Sequence, residues 1–397
     1  MGLFKEYIEA GINGPQLDIA RRAQLKRIGE LRQSAVVTYA ARIASLPQQV
    51  DISVSYDDIL PFKDVLDGIT GERVTVLLET PGGSGEVGRD MVELLHERFK
   101  HVTFLVPGMA KSTGTIMCLG GHEILMGPTS SLGPIDAQLL QDGKRFSADA
   151  LLEGFKSIKE EVEKANGQLN SAYIPMLQRI SPGELQNAQN ALEFARATVA
   201  DWLAKYKFSD WTKDGLPVSD DKKRDRARHI ADELAKQSKW YSHGRSLRIP
   251  DLERLGLKID DFSKNAELND AVMRYHVLLR MTFEGGAVYK IYETPDATIA
   301  KRFQVPALNP EQAANLFGAM QAAPTVQVEV TCTQCGAKSN VQLDFAPEQP
   351  LQPGSVRYPD QGTIPCPRCK SPIPLVPIRA DIENRFGRKA LTPQPKN

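Results

Sequence analysis

The chain has 397 residues, 41% of them apolar and 25% charged, which is enough to bury a sizeable core and excludes disorder as the default. Lysine plus arginine and aspartate plus glutamate both number 49, so no overall field draws the chain onto nucleic acid or an acidic membrane. The cysteines fall as two CxxC pairs and a lone Cys118, a pattern suited to metal binding in a reducing compartment rather than to a disulfide framework.

The first residues lack the charged start, apolar run and small-residue cleavage site of a secretory signal. No apolar stretch approaches the ~18 residues that span a bilayer. The expectation is a cytoplasmic protein with no membrane span. Leu17, Ile19, Leu25, Ile28 and Leu31, set among charges, predict an amphipathic helix over 14–33. Residues 1–33 are therefore read as an N-terminal helical segment. Its apolar stripe has no assigned partner and is offered as a contact surface between copies of the chain, with packing inside the chain as the alternative.

From Ser34 the texture becomes β/α. Ala35 to Tyr39, Asp51 to Val54, Val74 to Leu78, Val102 to Val106 and Glu123 to Met126 read as strands. A helix capped by Ser55, with Asp58 three residues on, follows the second of these. Another runs through Met91, Leu94, Leu95 and Phe99. Strands without polar alternation, separated by helices, predict a mainly parallel sheet covered on both faces, with ligands at the strands' carboxyl ends. Long helical patterns follow at about 147–166, 169–206 and 221–238. The basic run Lys222 to Arg228 opens the last of them and reads as a solvated face. Residues 34–290 are assigned to the main domain. The stretch 291–325, with Pro306, Pro310 and Pro324, is assigned to a connection, 326–378 to a small C-terminal module and 379–397 to a tail.

Two loops at the strands' carboxyl ends stand out. Thr80-Pro81-Gly82-Gly83 follows a buried strand, and its glycines can turn backbone N–H groups toward an anion or oxyanion. The segment from Gly108 through Ala110-Lys111-Ser112-Thr113-Gly114-Thr115 puts a serine at the start of an apolar helix, where developing negative charge is favoured. Taken singly, the first is an ordinary turn and the second an ordinary helix cap.

Together with Glu123-Ile124-Leu125-Met126, Leu132-Gly133-Pro134-Ile135-Asp136-Ala137-Gln138, Gly244-Arg245 and Leu255 to Asp260, these loops resemble the serine dehydrogenase proteinase family of the Clp protease/crotonase superfamily, which is similar to signal peptide peptidase A. The resemblance covers about 34–262. It implies an α/β, Clp/crotonase-like ββα-type fold with a mainly parallel sheet. It implies a serine endopeptidase acting on peptide or protein substrates, with Ser112 as nucleophile and the N–H groups of Gly83 and Thr113 as oxyanion-hole donors. Gly82 shapes the turn. Where the Clp proteolytic subunit carries its histidine, this sequence has Asp136. The relatives of signal peptide peptidase A imply instead a lysine base on a downstream helix, and Lys156 fits best, with Lys159, Lys111 and His243 behind it. A lysine serves as base only if burial or nearby positive charge lowers its pKa toward neutrality. The resemblance also implies a homo-oligomer with sheltered sites. Its archaeal members look membrane-anchored, and no such anchor is expected here. An inactive binding or scaffold protein on the same fold is the alternative, and a crotonase-like acyl-CoA enzyme a more distant one.

Cys332-Thr333-Gln334-Cys335 and Cys366-Pro367-Arg368-Cys369 carry their own chemistry. Four thiolates in two tight turns suit a tetrahedral structural Zn²⁺, with redox dithiols or an iron site as the other uses of such spacing. The module reads as a zinc ribbon that needs its metal to fold and that recruits a substrate or partner.

Overall fold

The computed structural model describes residues 2–43, 50–141, 143–303 and 323–391. The chain divides into two compact units, Met1–Gln304 and Val305–Asn397.

The first unit is built on a seven-stranded sheet. In chain order its strands are β1 (Ala35–Ala41), β2 (Arg73–Glu79), β3 (His101–Val106), β4 (Glu123–Met126), β5 (Asp260–Asp261), β6 (Val288–Glu293) and β7 (Thr298–Arg302). They lie in the order β5-β4-β3-β2-β1-β6-β7. The pairs from β5 to β1 are parallel, and the hairpin β6-β7 adds antiparallel to β1. Buried valines, leucines and isoleucines fill both faces of β1 to β4, as a parallel sheet covered by helices requires.

The helices that matter for the site are α1 (Gly14–Arg32), α2 (Gly85–Arg98), α3 (Thr113–Leu119), α4 (Ala148–Lys164), α5 (Pro182–Trp202), α6 (Asp220–Ala235) and α7 (Ala266–Glu284). On one face of the sheet, Met91, Val92 and Leu95 of α2 and Ile116 and Met117 of α3 join Leu192 of α5 and Ile230 of α6 in the larger core. On the other face, Leu25 and Ile28 of α1 pack with Leu268, Val272, Tyr275 and Leu279 of α7.

Helix α1 thus finds its partner inside the chain, and its stripe is not a free contact surface. Ile19, counted in that stripe from the sequence, is 63% exposed. The anchor is Arg21, whose guanidinium donates to both oxygens of buried Glu293 at 3.1 and 2.9 Å. Tyr275 Oη donates to the same carboxylate at 3.1 Å. Charges are buried here only because they are paired and fully hydrogen-bonded.

Two further differences from the sequence reading concern the main sheet. Asp51 to Val54 contributes one isolated bridge, Val54 to Gly83, and no strand. Residues 291–302, assigned to the connection, carry most of the β6-β7 hairpin. The mixed charges of Lys290, Glu293 and Lys301 hid it, because those side chains are consumed by buried ion pairs with Asp58 and Arg21. The prolines at 306 and 310 lie outside the described residues.

The second unit pairs strands Thr325–Thr331 and Lys338–Asp344 antiparallel, adds Ser355–Arg357 parallel to the latter, and carries a small hairpin of Thr363–Pro365 with Pro372–Pro374. A helix, Val376–Phe386, crosses the boundary set at 378. Its Ile382 and the following Ala390 belong to the small core with Val330, Val341, Leu343 and Ile373. Part of the stretch read as a tail is therefore packed.

Candidate active site and metal centre

The loops after β2 and β3 run side by side. Thr80 N–H donates to Met109 O, and Lys111 N–H donates to Thr80 O, both at 3.0 Å. This zipper brings Gly82 under Ser112: a methyl group on Gly82, at φ +102, would lie 2.7 Å from Ser112 Cβ and 3.3 Å from Thr113 N. Gly83, at φ +153, presses on Val54, where a methyl group would lie 2.3 Å from the backbone N and O. No other residue type fits these two places. Val54 N–H donates to Gly82 O at 2.7 Å, and Ser84 N–H donates to Val54 O at 2.8 Å.

Ser112 itself sits at φ 50, ψ −116, outside the basins open to a residue with a side chain. Such strain costs of order 1–3 kcal/mol and persists only where the surroundings impose it. It is the geometry of a sharp strand-to-helix turn that exposes a nucleophile. Ser112 is half-buried, whereas every residue of α3 behind it is buried. Thr113 Oγ1 donates to Gly83 O at 2.6 Å and fixes that peptide plane. Among the described residues, neither Gly83 N–H nor Thr113 N–H donates to a protein acceptor. Two unpaired backbone donors therefore flank one strained serine.

Behind the turn stands the segment after β4. A methyl group on Gly133 would lie 3.5 Å from Ser112 N, and Gly133 N–H donates to Thr115 Oγ1 at 2.8 Å. Leu132 exchanges two backbone hydrogen bonds of 3.0 Å with Leu247. Lys111 is buried, with Nζ donating to Leu132 O at 2.8 Å, Arg245 O at 3.1 Å and Ser246 Oγ at 3.0 Å. Burial, with a smaller push from Arg248, lowers its pKa to about 8. All three of its donor positions are committed, so it ties these segments together. Just beyond, His243 Nδ1 lies 2.7 Å from Asp136 Oδ1.

Lys156, Lys159 and His122 sit in different surroundings. Lys156 on α4 is 63% exposed, with Glu153 as its charged neighbour at 3.9 Å, and Lys159 is 72% exposed beside Glu163. The desolvation a lysine base needs is absent from both in the single chain. His122 accepts from Val102 N–H at 3.2 Å and stacks on His101 at 4.6 Å. Burial, with His101 and His96 nearby, lowers its pKa to about 4. It lies against the start of β3, the end opposite the one that leads to Ser112.

Residues 4–168 match the family model of the ClpP-like SDH-type serine proteinases. The fold is ClpP-like, and the resemblance read from the loops holds over that stretch, which contains Gly83, Ser112, Thr113, Asp136 and Lys156 but not His243. Two uncharacterized proteins of Methanocaldococcus jannaschii are similar to the chain. One is 27% identical over 130 residues, 32% of this chain and 46% of the relative. The other is 28% identical over 89 residues, 22% of this chain and 29% of the relative. The match thus spans less than half the length of either relative. Among solved structures, a mutant of the 1510-N membrane-bound stomatin-specific protease is 17% identical at a TM-score of 0.32, over 55% of this chain and 79% of that one. ClpP1 from Listeria monocytogenes is 9% identical at a TM-score of 0.30, over 58% and 93%.

The SDH-type match leaves the cysteines outside it, and they form a separate centre in the second unit. Their four Sγ atoms lie within 4.8 Å of one another, with Cys332 to Cys369 at 3.6 Å and Cys335 to Cys366 at 3.5 Å. These separations are too long for disulfides and fit a tetrahedral ion bound at ~2.3 Å per sulfur. The two knuckles repeat one design. Gly336 N–H donates to Cys332 O at 2.9 Å and Lys370 N–H to Cys366 O at 3.0 Å, closing each turn with a residue at φ +70 or +63. Cys118, by contrast, is fully buried in the main core, and burial raises its pKa, which leaves it an unreactive packing residue. No helix among the described residues is long and apolar enough to cross a membrane.

Two features of the site had no readable signal in the sequence: the Asp136–His243 contact, made across 107 positions, and the burial of Lys111. Asp136 was visible only as a departure from the Clp pattern.

Proposed function

We propose that this chain is a serine endopeptidase whose nucleophile is Ser112. The observation that supports it best is the strained serine flanked by the unpaired N–H groups of Gly83 and Thr113. Ser112 Oγ attacks a peptide carbonyl, and the two N–H groups hold the oxyanion that forms, a contribution of roughly 10²–10³ in rate for each such donor. Lys156, the base favoured by the sequence, fills that role only in an assembly that covers α4. A closed homo-oligomer is part of this reading. With α1 engaged inside the chain, Leu140, Phe155, Ile174 and Met176 are among the exposed apolar side chains available for such contacts. The four cysteines hold a structural Zn²⁺, and the zinc ribbon they close recruits a substrate or partner. Reduced thiolate ligands suit the cytoplasm.

A fluorophosphonate probe tests the central claim. It is expected to label the wild type and not Ser112→Ala, with peptide turnover lost in parallel. Equal labelling of both would remove Ser112 from the chemistry. An unlabelled wild type that turns over no peptide would leave the fold as a binding scaffold. Light scattering tests the assembly, since a monomeric mass with full activity is incompatible with it.

A further inference from the structure

We propose that His243, held by the buried carboxylate of Asp136, takes the proton from Ser112, a step that rests on the peptidase reading and completes it. Asp136 is 1% exposed, and Oδ1 lies 2.7 Å from His243 Nδ1 while Oδ2 accepts from Gln138 Nε2 at 2.8 Å. A carboxylate that far from water is costly unless its oxygens are satisfied, and among the described residues these two contacts satisfy it. The pairing places the imidazole proton on Nδ1 and leaves Nε2 as an acceptor. His243 remains 28% exposed at its side chain, and Nε2 has no protein partner among the described residues. It is an oriented base open on one side.

Both halves of the pair are rooted in segments already tied to the serine turn. Asp136 follows Gly133, whose added methyl group would lie 3.5 Å from Ser112 N. His243 precedes Arg245 and Ser246, which hold Lys111 Nζ at 3.1 and 3.0 Å. The Leu132–Leu247 bridge closes the two segments on each other. The contact this proposal adds is Ser112 Oγ to His243 Nε2, of a kind that is commonly long until substrate binds. The other basic groups are less suited, because Lys111 has its three donors engaged and Lys156 is solvated. Serine, aspartate and histidine then occur in an order that geometry, not chain position, defines.

The proton path balances. As the Oγ–C bond forms, the Ser112 hydroxyl proton passes to Nε2, and Asp136 stabilises the resulting imidazolium. When the C–N bond breaks, that proton goes to the leaving amine. Water then repeats the sequence on the acyl-enzyme, freeing the acid and restoring the neutral imidazole. Asp136 acts through His243 and is a positioning residue.

The experiment uses the full chain, with peptide turnover and fluorophosphonate labelling as readouts. His243→Gln keeps a hydrogen-bond partner for Asp136 but cannot take the proton, so kcat is expected to fall roughly 10²–10⁴-fold with KM little changed. His243→Ala is expected to recover part of that kcat when imidazole is added, a rescue that a purely structural role would not give. Asp136→Asn is expected to lose kcat similarly, and His243→Gln carries the test if the buried substitution prevents folding. Wild-type kcat in His243→Gln, or a His243→Ala loss that imidazole does not relieve, overturns the proposal and returns the role to a lysine. Loss of labelling in the wild type itself would instead overturn the peptidase reading.

Discussion

Around Ser112, order comes from protein packed on protein. The strained turn is clamped by Gly82 and Gly83 from one loop, by Val54 from another, and by a buried lysine that reaches a carbonyl 134 positions away. The whole arrangement rests on a core drawn from α2, α3, α5 and α6. Around the four cysteines the surroundings are slight: three short strands, a small hairpin and a helix, with Cys332 and Cys366 among the few buried residues. A domain of that size buries too little apolar surface to be stable without a staple. The contrast teaches where each site keeps its stability. On the proposed reading, the serine site is expected to lose its hydroxyl and stay folded, whereas the cysteine module is expected to lose its fold with a bound metal.

Metal removal is the strongest way to break this comparison. A structural four-thiolate zinc site contributes of the order of 10–16 kcal/mol to folding. Chelation of the full chain is expected to open the second unit to trypsin at Lys338, Arg357 and Arg368 while fluorophosphonate labelling of Ser112 survives. Elemental analysis should find about one zinc per chain beforehand. Intact resistance after chelation, with no metal left, would mean that the small core suffices.

Ser112→Ala is the converse experiment and should lower turnover by up to about 10⁶-fold, as loss of a nucleophile does in other serine hydrolases. Its melting temperature is expected to hold or rise, because the hydroxyl of this half-buried serine makes no hydrogen bond among the described residues and alanine retains the same Cβ. A large fall in melting temperature would contradict the view that the surroundings, not the serine, hold the turn.

The clamp can be weakened from behind through Asp58. This buried carboxylate accepts from Lys290 Nζ at 2.8 Å, Tyr39 Oη at 2.9 Å and Ser55 N–H at 2.9 Å, and so holds the segment carrying Val54. Burial pushes its pKa up, but the hydrogen bonds from Lys290, Tyr292 and Ser55 outweigh burial and leave it below the ordinary value. Its contribution is therefore present above the ordinary aspartate pKa and is lost as pH falls through the lower folded value. Asp58→Asn is expected to cost about 3–5 kcal/mol near neutral pH and to flatten the acid limb of the stability curve. Denaturant titrations from pH 2 to 7 would read both. An unchanged acid limb would show that Asp58 is not the group responsible.

The smallest expected effect tests the oxyanion donors. Gly83→Ala drives a methyl group to within 2.3 Å of the Val54 backbone, so the Gly83 N–H must turn out of place. Turnover should fall roughly 10²–10³-fold while the cysteine module keeps its metal. A variant at wild-type rate would remove Gly83 N–H from the mechanism.

The sequence by itself determined the parts in which chemistry and local geometry coincide. The runs at 74–78 and 102–106, apolar but for one threonine each and rich in β-branched residues, read as strands buried on both faces, and the helix over 14–33 follows from its periodicity. The knuckles follow from the CxxC spacing, because one tight turn suffices to aim both thiols. The paired glycines were legible because their residue type is dictated by backbone positions with φ of +102 and +153, and Ser112 because it stands among small residues at the start of an apolar helix. Only the tertiary structure decided which surfaces and charges are free. It sent α1 onto α7, turned the charged 288–302 stretch into two sheet strands, left Lys156 in solvent and buried Lys111. It also joined His243 to Asp136. The physical reason is that a charged residue's type says it must be solvated or paired, but not which. The partner lies across 272 positions for Arg21, 232 for Lys290 and 107 for His243, distances over which only the packed chain can choose.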